Sequence, residues 1–162
     1  MPEFLTADLI DDFGDLCQSC TIQFRSFGPT RFSGPIQTVR CYDDNVLLKQ
    51  LLSTPSEGSV AVVDGAGFLG SALLGDQMAE LALSNHWSGV LIHGAIRDSV
   101  ALSGLALGVK SLGTNPRKSG KQGIGLVNVP VVFGGVTFSP GQWLYADDDG
   151  VLVTKNPLLG ER

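Results

Sequence analysis

Two short, almost wholly apolar runs, SVAVVDG at 59–65 and GVLIHGA at 89–95, bracket the amphipathic segment GDQMAELALSNHW. Strands buried on both faces read as continuous apolar runs rather than alternating ones. A strand, a helix and a second strand in that order make a βαβ-like unit with parallel strands. The rest of the chain must then cover both faces of that parallel pair.

The flanks supply candidates for the cover. TADLIDDFG reads as a short helix with Thr6 as N-cap and Gly14 as its stop, and TIQF is strand-like. FSGPIQTVRCY alternates at Ile36, Val39 and Cys41 and predicts a strand. DDNVLLKQLLSTPSEG places Val46, Leu47, Leu51 and Leu52 at helical spacing and ends at Pro55 and Gly58. ALGVKSLG predicts another strand. The final stretch, VNVPVVFGGVTFSPGQWLYADDDGVLVT, holds several short strands separated by Gly and Asp turns, one of them at Asp147–Gly150. The expectation is one mixed α/β domain over residues 1–162, a central βαβ-like unit joined to a β-rich C-terminal third.

With 162 residues, 43% apolar and 17% charged, the chain has the material for one substantial core. A net charge of -5 and the lack of a basic stripe argue against nucleic acid as a partner. No stretch reaches the ~18 apolar residues of a membrane span, and the N-terminus MPEFLTADLIDDFGD is acidic. These features predict a cytoplasmic protein with no membrane partner. CQSC has no second Cys pair or His pair to complete a zinc site, so Cys17, Cys20 and Cys41 read as reduced thiols. His86 and His93 lie on different elements without ligand spacing.

DGAGFLG spells G-x-G-x-x-G after a strand, but a dinucleotide site needs a long helix after the loop and an acid about 20 residues on. Here SALLG gives only a weak helix signal before Gly75 interrupts it, and the next strand ends in His93 and Gly94. Dinucleotide binding is not expected, and the same objection meets a methyltransferase. A better ligand site lies at Gly75, Asp76, Gln77 and Met78, where a helix opens with N–H groups that lack internal partners. The alternative is a plain Asp N-cap at Asp76. Arg97 and Asp98 follow the next strand's carboxyl end, where ligands of parallel units collect. They offer a guanidinium fork and a hard oxygen ligand; the alternative is a surface ion pair. NPRKSGK reads as a solvated loop, and Lys110 is the lysine nearest the Arg97 motif in sequence.

Asp76, twenty residues, then Arg97-Asp98 matches the D-x20-R-D signature of the RraA-like family, which the chain resembles over nearly its whole length. FSGPIQTVRCYDDN, VVDGAGFLGSALLGD, GVLIHGAIRD, GTNPRKSGKQG and VPVVFGGVTFSPGQWLYADDDGVLV resemble family blocks in the expected order. The family includes metal-dependent class II 4-hydroxy-4-methyl-2-oxoglutarate aldolases and the regulator of ribonuclease activity A.

The resemblance implies a swivelling-type β/β/α domain, generally a homotrimer, with sites near subunit contacts. It implies that Gly75, Asp76, Gln77 and Met78 hold a pyruvyl carboxylate. Arg97 would bind the 2-keto-acid end and stabilise an enolate, Asp98 would bind Mg²⁺ or Mn²⁺, and Asp76 would act through a metal-bound water. It also implies retro-aldol or oxaloacetate decarboxylase chemistry, or alternatively a non-catalytic regulator docking on an RNase E-type ribonuclease. Ala101 stands where some aldolase members carry an acid, which lowers the expected efficiency toward the longer substrate.

Overall fold

The computed structural model describes residues 3–160. Four neighbouring parallel strands form its centre: β3 (Phe32–Arg40), β4 (Val60–Asp64), β6 (Gly89–Ile96) and β7 (Gly108–Thr114). Their register runs Ile36 to Val60, Val60 to Gly89 and Gly89 to Gly108. Alternation divides their side chains between two cores. Ala61, Val63, Val90, Ile92 and Val109 pack with residues of α2 (Val46–Leu52), α3 (Asp76–Ser84) and α4 (Ser99–Ser103), including Leu48, Leu52, Ala79 and Leu102. Ile36, Val60, Val62 and Leu91 pack with Phe133, Val136, Phe138, Leu144 and Val153 of the β-rich third. Burial on both faces is why these strands read as continuous apolar runs.

β3 joins the two halves. Its second half pairs parallel with β4, while Phe32–Pro35 pairs antiparallel with β11 (Trp143–Asp147). From there the sheet continues through β12 (Gly150–Thr154) to β1 (Cys17–Ser19). β2 (Arg25–Phe27) lies antiparallel on β7, and β8 (Leu126–Val127) pairs with the end of β3. β9 (Val131–Phe133) and β10 (Val136–Phe138) form a hairpin. Its turn is Gly134–Gly135, both at positive φ (62° and 77°), as a tight two-residue hairpin turn requires. The Phe32 ring lies where side chains on the paired Gly89 and Gly108 would otherwise be.

α1 (Thr6–Phe13) seats Leu9 with Phe4 against Trp143, Tyr145 and Leu152. Thr6 is its first helical residue rather than its N-cap, which is Leu5. The Thr6 N–H and hydroxyl instead donate to the buried Asp147 carboxylate, at 2.7 and 2.6 Å. α1 stops at Gly14 as expected, its C-cap, which at φ −47° leads into a short 3-10 turn, Gly14–Leu16. TIQF lies outside any strand, which begins only at Arg25. Ala72–Leu74, within the SALLG segment whose helix signal is weak, is a strand, β5, paired with the end of β6. Three residues cannot display a helical period, and this run pairs with β6 on one side while its Ala72 N–H donates to the Arg117 carbonyl and its Leu73 carbonyl accepts from Asn45. Among the described residues no helix is long and apolar enough to cross a membrane.

Candidate functional site

α3 opens at Asp76 with Gly75 as N-cap in extended backbone (φ −131°, ψ −171°). Asp76 is the first helical residue and not the N-cap. The cap comes from a different element: Asp98 Oδ2 accepts the Asp76 N–H at 3.0 Å. A carboxylate at a helix N-terminus satisfies an orphan donor and sits at the favourable end of the helix dipole. The Arg97 N–H donates to the Leu74 carbonyl at 2.9 Å, which draws the end of β6 onto β5 and so beside Gly75. A Cβ at position 75 would stand 2.7 Å from Asp98 Oδ2 and 3.4 Å from Arg97 Nε. Helix start, guanidinium and carboxylate therefore share this space because residue 75 has no side chain.

Asp98 itself adopts a left-handed backbone (φ 57°, ψ 43°). Such a conformation is uncommon outside glycine and costs on the order of 1 kcal/mol. It lets the chain start α4 while the carboxylate points back to α3.

These groups line a cavity of about 360 Å³, to which Gly75, Asp76, Gln77, Met78, Arg97 and Asp98 all contribute. The structure thus brings together every predicted site residue. The same cavity holds residues that the sequence reading passed over: Asn45, Lys49, Lys118, Ser119 and Lys121. NPRKSGK is accordingly a cavity wall as well as a solvated loop. Lys110, nearest to Arg97 in sequence, is buried elsewhere on β7 and donates to Ser26 Oγ at 2.9 Å.

The loop bearing Lys118 and Lys121 is latched to the start of α2. The Asp44 carboxylate accepts N–H groups from Val46 at 3.1 Å, Gln122 at 2.5 Å and Gly123 at 3.0 Å. Burial disfavours the charge on Asp44, but the N–H groups of Val46, Gln122, Ile124 and Gly123 more than offset this and hold its carboxyl below the ordinary value. Asn45 donates to the Leu73 carbonyl (3.1 Å) and to Met78 Sδ (3.2 Å), which turns its Oδ1 toward Lys121 Nζ, 3.0 Å away.

The glycine loop 64–70 lies outside this cavity. The N–H groups of Gly65 and Gly67 both donate to the His93 carbonyl at 3.1 Å, and the loop leads into β5 instead of a helix. It lacks the helix start of a phosphate cradle, and its Gly65 and Gly67 amides are already engaged. His93 stacks on Phe133 with ring centroids 4.7 Å apart, and its Nδ1 lies 3.4 Å from Asp64 Oδ1. Cys17, Cys20 and Cys41 are free thiols.

Among the described residues no group of three or more His, Cys, Asp or Glu side chains gathers as a metal cage. The donor set fits a hard, water-rich ion: Mg²⁺ binds through one or two carboxylates, with water and ligand oxygens completing its shell. Among the described residues, Asp98 and Asp76 are the two carboxylates that line the cavity.

The RraA-like family pattern, described as Aldolase/RraA, matches residues 6–153. A Geobacillus kaustophilus protein described as S-adenosylmethionine:2-dimethylmenaquinone methyltransferase superposes with a TM-score of 0.96 at 46% identity, covering 98% of this chain and 99% of that one. The Thermus thermophilus RNA-processing inhibitor RraA superposes at 0.94 with 40% identity, covering 99% of this chain and 98% of that one. Streptomyces coelicolor RraAS2, described as an unusual member of the RNase ES inhibitor RraA family, superposes at 0.72 with 25% identity over 92% of this chain and 78% of that one. The likeness runs from α1 to β12 and spans both halves of the sheet, and the chain accordingly belongs to the RraA-like family.

Proposed function

We propose that this chain is a metal-dependent class II lyase acting on a short 2-keto acid, either decarboxylating oxaloacetate or cleaving 4-hydroxy-4-methyl-2-oxoglutarate to pyruvate. The observation that carries the reading is the junction at Gly75, where the α3 N-terminus, Arg97 and the Asp98 carboxylate meet at one cavity.

Both reactions break a C–C bond beside a keto acid and leave the charge of a pyruvate enolate. The amides of Gln77 and Met78, in the first turn of α3, have no intrahelical acceptors and would receive the substrate carboxylate. Arg97 would place fixed positive charge beside the keto oxygen, where it stabilises the developing enolate without reorganisation. Asp98, with Asp76 through water, would hold Mg²⁺ or Mn²⁺. When bound, that ion supplies Lewis acidity toward the keto and carboxylate oxygens. Decarboxylation needs no general base, which suits a site with so few proton acceptors. Aldol cleavage needs one for the C4 hydroxyl, and Asp76, acting through water, is the carboxylate available.

The methyltransferase name of the Geobacillus relative does not carry over to this chain, because its glycine loop leads into β5 instead of a helix and the Gly65 and Gly67 amides donate to the His93 carbonyl. A second reading, docking on a ribonuclease, is favoured by the likeness to the Thermus RNA-processing inhibitor. Assembly as a homotrimer accompanies either reading as a proposal from the family.

The test is oxaloacetate turnover with Mg²⁺ or Mn²⁺, with and without EDTA, for wild type, Arg97→Ala and Asp98→Ala. The expected result is metal-dependent turnover that both variants lose. A wild type without turnover on either substrate, but able to inhibit a ribonuclease, would establish the second reading.

A further inference from the structure

A second cavity, of about 490 Å³, lies further along the loop that walls the site at α3. Lys118, Ser119 and Lys121 of that loop line the first cavity; residues 124–126 line the second. The carboxyl ends of β3 and β4, with the residues just after them, supply the rest, including Arg40, Tyr42 and Asp64. Among the described residues none lines both cavities. Ligands of parallel units collect at strand ends of this kind. The glycine motif enters here through Ala66, whose N–H donates to Asp64 Oδ1 at 2.9 Å.

Charge and shape say what this cavity suits. Arg40 and Asp64 are partners in the β3–β4 register, yet their side chains form no ion pair. The Asp64 carboxylate turns to its own loop, taking the Ala66 N–H and lying 3.4 Å from His93 Nδ1. Among the described residues Arg40 has neither an ion pair nor a side-chain hydrogen bond. Its guanidinium fork is left for an anion. Beside it Tyr42, Ile124 and Leu126 are large apolar side chains, each half exposed or more. Phe68 braces the Tyr42 ring, with centroids 4.9 Å apart. Apolar surface gathered at one concavity with a single placed charge is the pattern of a small-molecule site. The loop wall is fixed as well. Leu126 and Val127 pair with Arg40 and Val39, and Asp44 holds Gln122 and Gly123. Gly125, at φ 147°, allows the close approach, since a Cβ there would overlap the Arg40 carbonyl oxygen.

We propose that this second cavity binds an aromatic carboxylate, with its carboxylate on the Arg40 guanidinium and its ring against Tyr42, Ile124 and Leu126. The proposal does not rest on the keto-acid reading. It uses no residue of the Gly75 junction, and its ligand needs neither a keto group nor a metal. Arg40 is the one cation lining the cavity among the described residues, so one carboxylate is matched and a second is not. A guanidinium–carboxylate pair beside an apolar wall is stronger than the same pair in open water. The braced Tyr42 ring favours a flat aromatic body, through offset or edge contacts, over a saturated one.

The probe is 2-naphthoate, titrated calorimetrically in metal-free buffer, with uncharged 2-naphthamide and saturated decahydro-2-naphthoate as matched controls. Wild type should bind 2-naphthoate about tenfold or more tighter than 2-naphthamide and about threefold or more tighter than the saturated acid. Arg40→Gln, with its fold verified by circular dichroism, should lose the preference over 2-naphthamide and keep the 2-naphthamide affinity. Arg97→Ala should bind 2-naphthoate as wild type does. No saturable binding by wild type overturns the proposal, as does equal binding of acid and amide. Equal or tighter binding of the saturated acid overturns the aromatic assignment. Binding lost in Arg97→Ala and kept in Arg40→Gln moves the ligand to the α3 cavity and overturns the second site. If wild type binds no naphthoate and Ile124→Glu lowers its sedimentation coefficient, the face is a contact between copies and the proposal falls.

Discussion

Gly75→Ala adds one methyl group at the point where α3, Arg97 and Asp98 meet. That methyl would stand 2.7 Å from Asp98 Oδ2, 3.4 Å from Arg97 Nε and 3.5 Å from Arg97 Cγ. The first distance is too short for a carbon and an oxygen, so the carboxylate must withdraw by roughly half an ångström or more. In doing so it gives up the charge-assisted bond to the Asp76 N–H, a contact of about 1.5–3 kcal/mol. The backbone is not strained by the change, because Gly75 lies in the ordinary extended region. Losing a favourable N-cap residue costs up to about 1 kcal/mol, and the stiffer unfolded chain returns about 0.4–1 kcal/mol. The net loss of stability is about 0.5–3.5 kcal/mol, so the fold should persist with a lowered Tm while the catalytic geometry shifts. A 1 Å misplacement costs about 10²-fold in rate, so a shift of half that size should cost about tenfold or more. Oxaloacetate turnover and thermal unfolding, measured on one preparation, separate the two effects. Undiminished kcat/KM, or a loss matched by a collapse in Tm, would refute the reasoning.

The Cys41 thiol is pushed up to about 12, first by burial and then by the charges of Asp44 and Asp64. At pH 8 only about one part in 10⁴ is thiolate, so Ellman's reagent should leave Cys41 unmodified in the native protein; rapid labelling there would contradict this. The Asp44 carboxyl is held below its ordinary value of 3.8. Its contribution to stability is therefore full above that value and is lost as pH falls through the lower folded-state value. The urea midpoint should drop below about pH 4, the Gln122 and Gly123 amides should lose exchange protection there, and Asp44→Asn should flatten this acid limb; an unchanged limb would exclude the latch. Thr6→Ala removes the 2.6 Å hydroxyl bond to Asp147 and keeps the backbone one. It should cost about 1–2 kcal/mol in urea unfolding, and no measurable loss would rule out Asp147 as the anchor of α1.

The parts of this fold legible in the sequence are those with a local period. β4, α3 and β6 could be read because each buries an unbroken or helical pattern of apolar residues. Asp76, Arg97 and Asp98 could be read because each stands at the end of such an element. The misreadings have non-local causes. Asp76 is capped by a side chain 22 residues away, and Thr6 is satisfied by one 141 residues away. β5 is a strand only because β6 lies beside it. Lys118 and Lys121 looked like a solvated loop because the group that brings them to the cavity, Asp44, is 78 positions before Gln122. Lys49 sits on a helix read correctly, but nothing in its own period shows that its end faces a site.

The most direct measurement is Mn²⁺ binding followed by water-proton relaxation, with pyruvate titrated into the wild type, Asp98→Ala and Arg97→Ala. Wild type should bind the ion and change its relaxation on adding pyruvate; Asp98→Ala should lose the ion, and Arg97→Ala should keep it but lose the response to pyruvate. Ion binding and a pyruvate response undisturbed by either substitution would contradict a keto-acid site built at the opening of α3.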